Sequence, residues 1–386
     1  MDKPCNPGIN PHIEAGADIK RKYLAEAGLN LFSAGPAQFR PSDIYRFGTH
    51  PHFRAALEGT NIYLVCRRRR IAVDPHSIKL KQDGIHGEFL VYGDSCHEWE
   101  SEKFYPDTGM TGPDGLPMKL VDARPADPFG HAVELLDERG QRVLVPSCAL
   151  IPHSKHKLGD RTRLEVLYVG QTFGKLGNSL SVDRLSRHTT LQRILAESAD
   201  QGGQNEILLL GFQYGNSKNI LSSAGASWVE PSATSQEEQA HLLKTGRQTF
   251  NRKERILLAE AALINYFKPH YNVMHRDSFS RSNSRKLKTL QSLLREDFSA
   301  LVVEINTANL SAKLWSKTAP RGALSTYFTE QKIEEMRNNV RASGSTNGDD
   351  EFDDWIKEQT HAHIAKFALY DRAERETFLH ALPWAD

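Results

Sequence analysis

The sequence predicts a mixed α/β (α+β) fold in three parts, and three observations support this class. Short apolar runs bounded by turn residues, such as NIYLVC at 61–66, indicate strands. Longer segments with apolar residues three and four positions apart indicate amphipathic helices. The chain of 386 residues is 39% hydrophobic, which suffices for two or three domains with cores. We expect a β-rich N-terminal domain of unknown role over 1–150, a central domain over 151–290 and a mixed, mostly helical C-terminal region over 291–386.

The composition excludes several classes of protein. The chain has 49 Lys and Arg against 48 Asp and Glu, and its mean hydropathy is −0.52. No apolar run approaches the roughly 20 residues that span a bilayer. The first residues lack the charged and apolar segments of a signal peptide, and the four cysteines form no CxxC pair. We therefore expect a cytoplasmic protein with free thiols and no membrane association.

The N-terminal domain is expected to contain three strands, and four arginines follow the first of them. The strands are predicted at 61–66, 87–93 and 142–151 from their apolar and β-branched content. Arg67–Arg70 come directly after the first strand. They are either a solvated strand end or a contact for phosphate groups.

The central domain alternates strands and helices. Its strands are predicted from β-branched and aromatic content, and its helices from apolar spacing and caps. Ser181 or Asp183 is the expected N-cap of the first helix, and Pro269 stops the second. In chain order the elements are a strand at 164–172, a helix at 181–199, a strand at 206–215, a linker at 216–236 and a helix at 251–268.

Glu260 lies at the centre of the apolar stripe of the second helix. The stripe consists of Ile256, Leu257, Leu263, Ile264 and Phe267. A carboxylate that faces a core is unfavourable unless a cation meets it. Glu260 is therefore either a structural residue, which pairs with a buried arginine or reaches solvent at the edge of the stripe, or a functional one. A functional Glu260 would be a catalytic carboxylate or a ligand for a hard cation such as Mg²⁺ or Mn²⁺, and we favour a functional role.

Arg184 and His188 are four residues apart, so the predicted helix places them on one face beside Arg187. A guanidinium group offers paired donors to phosphate oxygens, and an imidazole can carry a proton near neutral pH. The same pattern also arises on the solvated face of an amphipathic helix, which is its commoner origin.

Four features follow one another in the central domain. A strand ends in Tyr168-Val169-Gly170-Gln171-Thr172, a helix carries Arg184-x-x-x-His188, a later helix carries Glu260, and the run Lys268-Pro269-His270-Tyr271-Asn272 ends that helix. In this order they resemble the GIY-YIG nuclease superfamily over about residues 150–275. The resemblance implies a small three-stranded sheet flanked by helices.

The resemblance also implies a role for each matching residue. Glu260 would bind one divalent metal ion, Mg²⁺ or Mn²⁺. Arg184 would stabilise negative charge on the scissile phosphate, and Tyr168 would position or activate the attacking water. His188 would support proton transfer, and Asn272 would hold the local hydrogen bonds.

The first motif of the family has no counterpart at the expected place. A strand bearing Gly-Ile-Tyr should lie about ten residues before Tyr168, but residues 153–160 contain no tyrosine. His153 and His156 are candidate substitutes because imidazole accepts a proton near neutral pH, although a surface loop is the commoner place for such histidines. Gly170 would let the backbone approach a phosphate closely.

We therefore predict a divalent-metal-dependent endonuclease that hydrolyses phosphodiester bonds in DNA. The alternative is a catalytically degenerate subunit that keeps the scaffold and binds nucleic acid or assembles with a partner. In either case the N- and C-terminal regions are the candidates for contacts with a protein partner or a second copy of the chain. A third possibility is an unrelated α/β protein whose motif matches are coincidental and in which Glu260 pairs with a structural arginine.

The charge of the chain is unevenly distributed. Residues 152–288 contain 20 Lys and Arg against 12 Asp and Glu, although the whole chain carries only +1. Such a basic block is typical of a surface that binds phosphates. An acidic run near 343–354 predicts a solvated linker. The candidate DNA-binding residues are Arg187, Arg281, Arg285, Lys286 and Lys288.

Overall fold

The computed structural model describes residues 22–45, 57–95, 97–105, 116, 118–153, 158–171, 188–223, 230–273, 293, 296–322, 328–342 and 348–369. Within these ranges the chain is a mixed protein with strands in several sheets and six α-helices. The predicted α+β class is confirmed at this level.

The strands are short to medium in length and most belong to antiparallel pairs. They are β1 Glu26–Phe32, β2 Ala37–Phe39, β3 Ile62–Arg69, β4 Ile71–Val73, β5 Lys79–Lys81, β6 Gly84–Tyr92, β7 Trp99–Phe104, β8 Leu120–Pro125, β9 Ala132–Asp137, β10 Arg142–Pro146, β11 Leu164–Gln171, β12 Asn205–Phe212, β13 Asn216–Ser222, β14 Phe298–Asn306, β15 Leu314–Trp315 and β16 Ala362–Ala368.

Six α-helices accompany these strands. They are α1 Ser147–Leu150, α2 Thr189–Asp200, α3 Ser235–Arg247, α4 Arg252–Phe267, α5 Glu330–Ala342 and α6 Gly348–Thr360. Both α3 and α4 begin with a capping box, formed by Thr234 with Glu237 and by Asn251 with Glu254. Lys268 ends α4 in the left-handed conformation, and Pro269 follows it.

The central sheet has the strand order β15-β11-β3-β12-β2. Its three long strands are antiparallel neighbours, with β3 between β11 and β12. The sheet thus has five strands where three were expected, because two short strands extend its edges. Since β3 comes from the first 150 residues, a division at residue 150 separates strands that belong to one sheet.

A second sheet, with the order β13-β1-β14-β16, shares a core with the central sheet. Helix α4 packs against strands of both sheets and is buried on nearly all sides. Ala259, Ala261 and Ala262 are buried along it, and such small side chains let neighbouring elements approach a helix closely. The only charged residue buried in α4 is Glu260, 6% exposed.

The chain between β3 and β11 forms a separate β-rich insertion. Strands β4–β7 and β8–β10 surround a hydrophobic cluster of their own that includes Phe89, Phe104 and Leu135. This cluster is distinct from the two clusters that cover the faces of the central sheet. The insertion therefore interrupts a β3–β11 pair whose members are adjacent in space.

Two segments predicted to be irregular contain regular structure among their described residues, although residues 230–234 are irregular as expected. The expected linker at 216–236 contains β13, which pairs with β1 and begins the second sheet. The expected acidic linker at 343–354 is helical from Gly348 onward, because Phe352 and Ile356, four residues apart, are buried on one face of α6. Pattern and charge alone suggested solvated loops at both places.

Candidate functional site

A pair of tyrosines marks one face of the central sheet. Tyr63 on β3 pairs in register with Gly170 on β11, and Tyr168 pairs with Val65. Residues paired across strands lie on the same face, as do residues two apart along a strand. The rings of Tyr63 and Tyr168 are accordingly neighbours, with centroids 6.0 Å apart.

Gly170 provides the space for these two rings. A Cβ atom at this position would lie 2.5 Å from Tyr63 Oη and 2.8 Å from Tyr168 Cε1, closer than side-chain atoms approach one another. The sequence suggested that Gly170 lets a phosphate approach. The structure gives a different reason for a glycine at position 170, since any larger residue would displace both tyrosines.

His188 joins the tyrosine pair from helix α2. Its Nε2 lies 3.4 Å from Tyr168 Oη, and its ring is edge-on to Tyr63 at 6.0 Å between centroids. The expectation that His188 lies inside a helix over 181–199 is wrong. The helix begins at Thr189, and His188 is its N-cap, with extended backbone and Nδ1 accepting from the N–H of Leu191. Ser181 and Asp183, the expected caps, lie outside the described residues.

Asn272 is bound to the tyrosine-bearing strand by two hydrogen bonds. Its Oδ1 accepts from the N–H of Val169, and its Nδ2 donates to the carbonyl of the same residue, both at 2.9 Å. The side-chain amide therefore replaces a neighbouring strand at this part of β11. The N–H of Tyr271 donates to the carbonyl of Leu167 and extends the attachment.

Tyr271 also connects this segment to helix α2. Its hydroxyl donates to Glu197, and the guanidinium of Arg193 lies over its ring at 5.5 Å. Burial, followed by the Glu197 carboxylate, raises the pKa of Tyr271, and the Tyr271 hydroxyl is the largest cause that lowers the pKa of Glu197. The contact fixes α2, and with it His188, against the strand that carries Tyr168.

Glu260 is the residue that the sequence predicts as a metal ligand. It is buried on α4, the helix that packs on β3 and β11 and leads directly into Asn272. Among the residues that the structure describes, no group of three or more His, Cys, Asp or Glu is arranged to hold a metal ion. A single carboxylate suits Mg²⁺ or Mn²⁺, which complete their shells with water and phosphate oxygens.

The remaining predicted residues fall outside the described ranges. They are Arg184 and Arg187, which precede α2, and the basic residues Arg281, Arg285, Lys286 and Lys288, which follow Asn272. His156 lies outside them as well, and His153 is the last residue of a short 3-10 helix.

The arginine tetrad forms ion pairs and hydrogen bonds within the protein. Arg67 pairs with Glu165, Arg68 with Glu206, Arg69 with Asp94, and Arg70 donates to the carbonyl of Phe129. Arg68 is buried, and its carboxylate partner also accepts from the N–H of Ile71. The ion pairs of Arg67 and Arg68 lie within the central sheet, and the ion pair of Arg69 with Asp94 joins β3 to the insertion.

Tyr63 is the site residue that sequence reasoning missed. Its signal is present in Asn61-Ile62-Tyr63, an apolar run that begins with an Ile-Tyr pair and was recognised only as a strand. A first tyrosine is expected within a few residues before Tyr168, because two paired strands are normally joined by a short turn. The insertion of β4–β10 between them breaks that assumption.

No helix within the described ranges is long and apolar enough to cross a membrane. Comparison of the chain with protein-family models, with curated proteins and with solved structures finds no match.

Proposed function

We propose that this chain is a divalent-metal-dependent endonuclease that hydrolyses phosphodiester bonds in DNA. The observation that carries the proposal is the position of Tyr63 beside Tyr168 and His188. It supplies the tyrosine that the GIY-YIG resemblance requires on a first strand, paired with the strand of the second motif.

Hydrolysis of a phosphodiester needs an oriented water, a cation for the phosphate oxygens and a group that takes up a proton. The tyrosine pair would orient the water and take its proton. A phenol with a pKa near ~10 needs a neighbouring positive charge or hydrogen-bond donor to do so at neutral pH. Glu260 would hold Mg²⁺ or Mn²⁺, which when bound polarises the phosphate. Arg184 would contact the phosphate on the strength of the resemblance alone.

The alternative function is a nucleic-acid-binding or assembly subunit without catalysis. The reason for considering it is that no tyrosine lies in the ten or so residues before Tyr168. With Tyr63 next to Tyr168 that reason is weaker.

A cleavage assay tests the proposal. The protein is incubated with plasmid, linear duplex, single-stranded and branched DNA and with RNA, in Mg²⁺, in Mn²⁺ or in EDTA. We expect DNA cleavage that EDTA and Glu260→Gln abolish, because the amide keeps the shape but not the charge that holds the cation.

The matched control is Glu230→Gln, which removes an exposed carboxylate and should leave cleavage unchanged. Circular dichroism and melting temperature verify that each variant is folded. Equal cleavage by the wild type and Glu260→Gln would exclude the proposed metal site. Metal-independent, salt-sensitive DNA binding without any cleavage would favour the alternative.

A further inference from the structure

His188 has one ring nitrogen committed to the start of helix α2. The backbone of His188 is extended, its carbonyl accepts the first helical hydrogen bond from Gln192, and the N–H of Leu191 donates to Nδ1 at 3.2 Å. The imidazole thus takes the place of the Ser, Thr, Asp or Asn side chain that usually caps a helix. A backbone N–H can only donate, so Nδ1 carries a lone pair and no proton.

The cap therefore decides where the proton of the neutral ring resides. A neutral imidazole has one protonated and one unprotonated nitrogen. With Nδ1 unprotonated, the proton is on Nε2, which lies 3.4 Å from Tyr168 Oη. In this tautomer Nε2 donates to the phenol oxygen and cannot accept its proton.

We propose that His188 is a positioning residue that acts on Tyr168 as a neutral hydrogen-bond donor, with its tautomer held by the cap of α2. The functional consequence rests on the proposed nuclease activity, whereas the tautomer itself does not. The donor stabilises the phenolate form of Tyr168 and holds its ring beside Tyr63. A proton added to Nδ1 would remove the cap, so the arrangement favours the neutral imidazole.

Two aromatic rings and an anchored helix surround the cap. Within the described residues the aromatic neighbours are Tyr63 and Tyr168, and Arg193 and Glu197 bond to each other at 2.6 Å more than one turn further along α2. The Glu197 carboxylate also accepts from Tyr271. These contacts anchor the helix whose first turn orients the imidazole.

Nuclear magnetic resonance of the whole protein, without DNA or metal, tests the proposal directly. Long-range ¹H–¹⁵N correlations on histidine-labelled protein at pH 8 report the tautomer, and the His188→Asn spectrum identifies the signals. We expect the protonated-Nε2 pattern for His188. A protonated Nδ1, or a doubly protonated ring at this pH, would overturn the proposal.

A second measurement separates the donor role from a purely structural one. His188→Asn keeps an oxygen acceptor for the cap but is too short to reach Tyr168, so its melting temperature should remain close to that of the wild type. The phenol pKa of Tyr168, followed with ¹³C-labelled tyrosine, should rise by about one unit or more when a donor to the phenolate is lost. An unchanged pKa in this variant would contradict the donor role. Because neither readout involves cleavage, failure of the nuclease assay remains distinguishable from failure of this proposal.

Discussion

At the scale of single residues, Tyr63 and Tyr168 share a face of the sheet but not an environment. Tyr63 is 2% exposed, whereas Tyr168 is half-buried beside His188. Tyr168 is therefore the more accessible member of the pair, and Tyr63 the more tightly packed one. Both ring positions depend on Gly170, because a larger residue there would collide with Tyr63 and Tyr168.

Tyr63→Phe tests the contribution of the buried hydroxyl. The substitution keeps the ring that packs against Tyr168 and Val65 and removes only the Oη atom. We expect cleavage to fall by about 100-fold, the lower end of the effect of a positioned proton-transfer group, with a small loss of stability of about 1 kcal/mol. Initial rates of plasmid cleavage and urea unfolding measure the two effects.

Tyr45→Phe is the control for Tyr63→Phe, since Tyr45 is 76% exposed and lies on a separate 3-10 helix. It should cleave at the wild-type rate. Wild-type cleavage by Tyr63→Phe would remove Tyr63 from the active site and leave Tyr168 as the sole tyrosine of the proposed mechanism.

At the scale of elements, the segment after α4 acts as a substitute strand. Asn272 and Tyr271 satisfy backbone groups of β11 that no neighbouring strand reaches, because β15 pairs only with its first two residues. Helix α4 therefore ends in a fixed relation to the strand of Tyr168. The same helix carries Glu260, so one continuous piece of chain links the carboxylate to the tyrosine pair.

Asn272→Ala should weaken this attachment. The N–H and carbonyl of Val169 would lose their partners inside the protein, and a buried unsatisfied group costs about 1–3 kcal/mol. We expect the free energy of unfolding to fall by about 2 kcal/mol or more, measured by urea titration. Asn216→Ala, an exposed position on β13, should change it by less than about 0.5 kcal/mol. Equal effects of the two substitutions would show that the amide bridge adds no stability.

The elements near the site were predictable from local pattern, and their connections were not. The strands at 164–172 and 206–215 and the helix at 251–268 follow from apolar spacing and caps, and the structure has them within a few residues. Burial of Glu260 followed from its position in the apolar stripe. The pairing of β3 with β11 depends on contacts between distant parts of the chain, which a local pattern does not encode. Likewise, the start of α2 depends on an imidazole cap, for which sequence preferences offer no signal.

At the scale of the whole molecule, the insertion between β3 and β11 lies outside the central sheet, and a short turn could join these two strands directly. Arg67 on β3 pairs in register with Glu165 on β11, so the two strands meet at the end where the insertion begins. The insertion has its own hydrophobic cluster, from Ile71 to Leu158. Its contacts with the sheet include the ion pair between Arg69 and Asp94.

Replacing residues 71–162 with a short Asn-Gly turn should therefore leave a folded protein. The turn would join β3 to β11 as an ordinary hairpin. We expect a cooperative thermal transition, a lower melting temperature and retained cleavage chemistry with altered substrate preference. Circular dichroism and the DNA cleavage assay measure these outcomes, with the full chain as control. A shortened chain without a cooperative transition would show that the insertion is part of the folding unit.

A buried histidine, His363, and a half-buried one, His361, should make the stability of the whole molecule depend on pH. His363 on β16 donates through Nε2 to the carbonyl of Leu314 on β15 and accepts at Nδ1 from the hydroxyl of Tyr266 on α4, at 2.8 and 3.1 Å. It thereby joins the two sheets through their shared helix. Burial lowers the pKa of His363 to about 4, and burial likewise lowers the pKa of the neighbouring His361 to about 4.

The direction of the effect follows from proton uptake. Between pH 6.5 and about 4 the unfolded chain binds protons at these histidines and the folded chain does not, so the free energy of unfolding falls as the pH is lowered through this window. Each pH unit changes it by about 1.4 kcal/mol per histidine. Urea unfolding at pH 7 and pH 5 should therefore differ by about 2 kcal/mol for each histidine. His363→Gln should reduce this difference, whereas His76→Gln, at an exposed turn, should retain it. If His363→Gln kept the full wild-type difference, the acid sensitivity would have to originate elsewhere than in the contact that joins the sheets.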